Sequence, residues 1–105
     1  MPTGIMLVES RPISFDDISE FHRWYDEVHI PAILAVEGFV SARRLQTEDG
    51  TSFVALYEID TDIATAKANL RAAFFEGHID RPTVVQLDPP PVQRYFQTID
   101  GSTSR

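Results

Sequence analysis

Apolar residues recur along the chain with two periods, and the changes of period mark the elements. Gly4 to Ser10 (GIMLVES) is a short apolar run that reads as a strand, ended by Arg11-Pro12. From there the spacing lengthens. Phe15, Ile18, Phe21, Tyr25 and Val28 stand three and four residues apart, one apolar stripe on a helix. Ser14 has the chemistry of an N-cap, and Asp16 and Asp17 occupy the first turn, where the helix dipole favours acids. Pro31 lacks an amide donor and disfavours helical geometry at Ile30. A break is therefore expected at His29 and Ile30, followed by a short turn from Pro31 to Val36 and closed by Gly38.

Phe39 to Thr47 and Ser52 to Ile59 read as strands, with the turn signal Glu48-Asp49-Gly50 between them. Asp60, Thr61 and Asp62 offer N-caps for a helix from Ile63 to Phe75, whose Ile63, Ala66, Leu70, Ala73 and Phe74 keep helical spacing. Gly77 ends it. His78 to Pro91 is a loop stiffened by Pro89-Pro90-Pro91, and Val92 to Thr98 is the last strand. The tail from Asp100 to Arg105 is small and polar and is expected to fray. The order is β-α-β-β-α-β. It predicts one α+β domain over residues 1–105 with the ferredoxin-like arrangement, an antiparallel four-stranded sheet with two helices on one face.

Two helices leave the other face of such a sheet uncovered, so that face is either polar or covered by something else. A tight hairpin centred on Asp49 pairs Thr47 with Thr51, Arg43 with Ala55 and Ser41 with Tyr57. One face then carries Phe39, Ser41, Arg43, Phe53, Ala55 and Tyr57, and the other Val40, Ala42, Val54 and Leu56. The aliphatic set suits packing against helices. The mixed aromatic and polar set suits a half-enclosed pocket or a sheet-on-sheet interface. A slip of one residue reverses the assignment.

Composition narrows the function classes. A chain of 105 residues with 43% apolar and 24% charged residues builds one core and no second domain. A formal net charge of −7 and a pI near 4.7 oppose binding to nucleic acid or an anionic membrane. Arg43-Arg44 is the one adjacent basic pair. Sheet aromatics that stack bases would need a basic aromatic strand motif, which the sequence lacks. The absence of cysteine excludes disulfides, thiolate metal sites and a cysteine nucleophile. With no basic, apolar leader and no run approaching about 20 apolar residues, a cytoplasmic protein is expected. His22, His29 and His78 lack metal-ligand spacing, and no phosphate loop, GxSxG elbow or HExxH is present. Neither a metal nor another cofactor is expected.

His29 is the leading chemical candidate. Imidazole titrates near neutral pH and can take or give a proton. Asp26 and Tyr25 precede it by three and four residues on the same helical face, so Asp26 is placed to orient the ring and raise its basicity. The other role open to His29 is capping the last helical carbonyls. Arg43 shares a face with Ser41 and Tyr57 and is preferred over Arg44 for holding a carboxylate or enolate, with a surface ion pair as its equal alternative. Tyr57 and Tyr95 are candidate donors to a developing oxyanion. Trp24, Tyr25, Phe39 and Phe53 are candidates for an apolar ligand wall, and Glu9 for a second base.

The stretch WYDEVHIPAILAVEGFVSARR, Trp24 to Arg44, resembles the signature of the EthD-like group of the dimeric α/β-barrel superfamily. That signature runs from a tryptophan or tyrosine before an acid, through a histidine and a short apolar helix, to a glycine and an aromatic strand ending in arginines. Glu37 stands where the family usually has proline, and Asp88-Pro89-Pro90-Pro91 before the last strand is also similar. The motif covers about a fifth of the chain and the element order nearly all of it. The group is similar to muconolactone isomerases, polyketide cyclases and cofactor-independent monooxygenases. The resemblance implies a homodimer whose two sheets face each other, with a pocket between sheet and helices in each subunit. Some relatives place a functional histidine near the end of the second helix, which makes His78 a secondary candidate beside Asp26 and Glu9. The implied activity is cofactor-independent acid–base chemistry (isomerisation, cyclisation, dehydration or oxygenation) on a small apolar oxygenated or aromatic, polyketide-like substrate, with His29 as proton shuttle. The alternative is a non-catalytic ligand-binding or assembly module of the same fold.

Overall fold

The computed structural model describes residues 3–99, so the tail expected to fray lies outside the described residues. Strand β1 is Gly4–Ser10, β2 Phe39–Gln46, β3 Phe53–Ile59 and β4 Val92–Gln97. They form one sheet in the order β2-β3-β1-β4, every neighbouring pair antiparallel. Helix α1 is Ile18–Trp24, α2 Ile30–Leu34 and α3 Ile63–Phe75. The helical residues Phe21, Tyr25, Ile33, Ala66 and Leu70 share one core with Met6, Ala55, Tyr57 and Ile59 of the sheet, so all helices lie on one face. This is the ferredoxin-like α+β arrangement that the element order predicts.

The caps are those the sequence offers. The Ser14 hydroxyl accepts the Asp16 amide at 3.2 Å and opens a short 3-10 turn, Phe15–Asp17. The Asp62 carboxylate accepts the Thr65 amide at 3.0 Å at the start of α3. Each bond satisfies a donor that the helix itself leaves unpaired.

The expected break at His29 does not occur. Tyr25–His29 forms a π-turn, in which the Ile30 amide donates to the Tyr25 carbonyl five residues back, and the helix runs on through α2. Pro31 is the physical reason. In a regular α-helix its ring would press on the carbonyl four residues back, and it has no N–H to give. One widened turn removes the clash without breaking the rod.

The β2–β3 register differs by one residue from the tight-hairpin expectation. Arg44 stands opposite Ala55, Ala42 opposite Tyr57 and Arg43 opposite Leu56. The cause is the turn. One Asp49 carboxylate oxygen accepts the Thr51 amide at 3.1 Å and the hydroxyls of Thr47 and Thr51 at 2.8 and 2.7 Å. The Thr51 amide is thereby turned from the ladder, and the Thr47 amide donates to Ser52 at 2.9 Å instead. The β3 faces are reversed from the expectation, while Ser41 and Arg43 of β2 stay on the open side and Ala42 on the helix side. Phe53, Ala55, Tyr57 and Ile59 are buried under the helices, while Val54, Leu56 and Glu58 face the open side. A bulge between Phe39 and Ser41 keeps Phe39 in the core but sends Ser41 and Arg43 outward. Among the described residues, no helix is long and apolar enough to cross a membrane.

Gly38 joins the helical layer to β2 with a φ of 104°, and a Cβ there would meet the Thr61 methyl at 2.7 Å. Gly50, in the β2–β3 loop, has a φ of 74° and open space around it. Gly38→Ala should cost about 2–4 kcal/mol and Gly50→Ala about 1 kcal/mol. Urea unfolding of both variants reads the difference. Equal costs would mean that the Thr61 contact yields without strain.

Candidate active site

The π-turn sets the geometry of the site. Residues five apart, which diverge on an α-helix, come into line where the turn is widened. Trp24 and His29 are five apart, and their rings stack at a centroid distance of 4.5 Å and an interplanar angle of 18°. Tyr25 meets the same imidazole edge-on at 5.4 Å. All three line a cavity of about 220 Å³ between the sheet and the helices. Met6 and Val8 of β1 form part of its wall, and Ile33 and Leu70 close it from α2 and α3.

His29 Nδ1 is buried and has no hydrogen-bond partner among the described residues. Burial lowers the imidazole pKa to about 4, so the ring is neutral at pH 7. A neutral imidazole keeps one acceptor nitrogen and one donor N–H for a ligand.

Asp26 is not the partner of His29. Its carboxylate lies 3.4 Å from the Arg44 guanidinium. Arg44, the arginine on the helix-covered face, stacks over the Tyr25 ring at 4.7 Å and comes within 2.9 Å of His22 Nδ1. Burial and the Arg44 charge lower the His22 pKa, so its ring is a neutral acceptor for that guanidinium. Behind the cavity, Arg44 thus backs Tyr25, whose hydroxyl shares a 2.7 Å hydrogen bond with Ser10. Burial also raises the Tyr25 pKa, which keeps that hydroxyl protonated.

The remaining candidates are dispersed. Arg43 is exposed on the open face, opposite Leu56, on the far side of the sheet from His29. Ser41 lies on that face too and donates to Glu58 at 2.7 Å. Glu9 accepts the Ser52 hydroxyl at 2.9 Å and does not line the cavity. Tyr57 is on the core side with 0% exposure, its hydroxyl has no partner among the described residues, and burial raises its pKa. Phe39 packs edge-on against Tyr57, and Phe53 packs on Phe21 and His22, so both are core residues. Tyr95 accepts from Gln93 at 3.0 Å and lies outside the cavity, on a neighbouring groove. His78 is exposed, 3.4 Å from Glu76.

The segment 78–91, read above as a plain loop, supplies a side of the site. The Ile13 amide donates to Val84 and the Gln86 amide to Arg11, both at 2.9 Å, which draws the segment over the sheet. Asp80, Pro82, Val85 and Pro91 line the cavity as a result. The available signal was the apolar pair Val84-Val85 and Ile79 inside a stretch otherwise rich in polar residues and proline. Val85 and Ile79 are buried.

Fold and cavity together define a ferredoxin-like α+β domain with a cavity between its sheet and its helices. No family model matches the chain, and no curated protein does. Among solved structures, the chain is similar to a monooxygenase from the gene ActVA-Orf6 of Streptomyces coelicolor, in complex with nanaomycin D. The TM-score is 0.60 at 15% identity, over 99% of this chain and 94% of that one. At this identity the likeness speaks to the fold.

His29 ties stability to pH. The unfolded chain takes up its proton near 6.5 and the native ring only near 4. The contribution is whole above pH 6.5 and is lost as the pH falls through that window, by up to about 3 kcal/mol. His22 is shifted in the same direction and adds a loss of the same sign. Urea unfolding at pH 7 and pH 4.5 should show a clearly smaller acid-induced loss in His29→Gln than in the wild type.

Proposed function

We propose that the chain is a small-molecule enzyme of monooxygenase type, acting on a small, apolar, oxygenated aromatic substrate in the cavity beside His29. The observation that carries this reading is the buried, unpartnered His29 Nδ1, stacked on Trp24 in the wall of an apolar cavity. The monooxygenase of Streptomyces coelicolor, in complex with nanaomycin D on the same fold, supports the reaction type. The Trp24–Arg44 segment supports a place near the EthD-like group. The acidic, cysteine-free composition suits a cytoplasmic setting.

In this reading the Trp24 face holds the substrate ring against His29. The neutral imidazole takes a proton from an activated ring C–H, which leaves an enolate or phenolate. The carbanion gives an electron pair to dioxygen. One oxygen stays on that carbon as a carbonyl, and the other leaves as water with the two hydrogens the carbon has lost. Substrate supplies both electrons, so the step needs no resident reductant. The protonated His29 returns its proton to the departing oxygen. Water exclusion by the apolar wall strengthens each of these polar contacts.

His29→Gln should keep the fold and lower turnover about 100-fold or more, measured as oxygen consumption with hydroxylated anthrones and naphthols. Unchanged turnover would remove His29 from the reaction. A second reading, a binding module without turnover, is favoured by one observation: a pKa near 4 makes His29 a weak base at neutral pH. It predicts ligand binding without oxygen uptake in the wild type.

The open sheet face belongs to the same proposal. Ile5, Leu7, Val54 and Leu56 are only half-buried there, and Val92 and Phe96 are exposed beside them. Such a face suits a second copy of the chain laid sheet to sheet. Sedimentation should give a dimer for the wild type at micromolar concentration and a monomer for Leu56→Glu. A monomeric wild type would overturn the pairing.

A further inference from the structure

A groove of about 640 Å³ adjoins the His29 cavity, between α3 and the edge strand β4. The two spaces share Leu70, Phe74 and Gln93 as a common wall. Their charges differ in sign. In the cavity lining Asp80 is the one acidic side chain, and no Lys or Arg accompanies it. The groove holds Lys67, Arg71 and Arg81 and no acid.

These cations are unusual in this chain, where nine Lys and Arg face sixteen Asp and Glu. Lys67 and Arg71 are one helical turn apart on α3, and Arg81 comes from the segment after it. The ion pairs of the described residues join Arg23, Arg44 and His78 to acids and use none of the three. Lys67 instead lies 4.9 Å above the Tyr95 ring. Apolar surface flanks them, with Phe74 48% and Phe75 85% exposed. Neighbouring like charges raise the local potential and draw an anion, and two arginines suit a carboxylate in particular.

We propose that the ligand is an amphiphilic carboxylic acid, with an apolar ring beside Trp24 and His29 and a carboxylate among Lys67, Arg71 and Arg81. This rests on the cavity reading above and names the substrate class for it. Charge sets the direction of entry. Asp80 repels the carboxylate from the cavity, and the groove attracts it. Phe74, in the shared wall, packs along the linker between the two ends.

The test compares 4-phenylbutanoic acid with its primary amide, which has nearly the same shape and no charge. Trp24 is the only tryptophan, so its indole N–H resonance reports on the cavity during an NMR titration. The acid should bind about tenfold more tightly than the amide. The double variant Arg71→Gln with Arg81→Gln should bring the acid to the amide's affinity and leave the amide's unchanged. Both arginines are exposed, so the fold is expected to persist, which circular dichroism checks. Equal binding of acid and amide by the wild type overturns this inference while keeping the cavity, and so does a variant that loses both probes alike. Failure of both probes to move the Trp24 signal counts against the cavity reading itself, and this inference falls with it.

Discussion

Pro31 sits inside a helix, and the site follows from how the chain accommodates it. A proline there removes a hydrogen bond and crowds the preceding turn. The chain answers with one π-turn over Tyr25–His29 instead of a break. The wider turn changes which residues share a face. Spacings of three and four would set Asp26 and Tyr25 beside His29. The spacing of five sets Trp24 there, ring on ring at 4.5 Å. The imidazole thus gains an aromatic neighbour in place of a carboxylate, and its basicity falls rather than rises.

The carboxylate freed from His29 serves another purpose. Asp26 and His22 hold the Arg44 guanidinium over the Tyr25 ring, and Tyr25 is anchored at its far end by Ser10. A polar network behind the cavity wall therefore fixes an aromatic residue in the wall. The cavity is left with few polar groups, so those present count for more in a low-dielectric space. His29 Nδ1 is the one buried side-chain polar atom that lacks a partner among the described residues lining it.

The two sheet faces divide the remaining roles. The core face takes the alternate residues Phe53, Ala55, Tyr57 and Ile59, and the open face takes Val54, Leu56 and Glu58. Because side chains alternate with a period of two, one residue of register decides the whole division. That residue is decided at Asp49, whose carboxylate collects three donors at the tip of the hairpin. Arg43 keeps its expected open face and Arg44 the helix-covered one, while Ala55 and Tyr57 come to the side of Arg44, which is why Arg44 and not Arg43 backs Tyr25.

By itself, the sequence determined the element order, the caps at Ser14 and Asp62 and the ferredoxin-like layering. These depend on local periodicity and on groups a few residues apart, which a linear reading captures. Tertiary structure alone decided the partner of His29, the face of each arginine and the gathering of segment 78–91 over the cavity. The π-turn, the hairpin register and the loop's bonds to Arg11 and Ile13 each turn on a single hydrogen-bond choice. Each choice has a close local competitor, such as a helix break or a tight turn. Packing of the whole layer selects between them, and a one-residue difference then moves side chains across a helix or through a sheet.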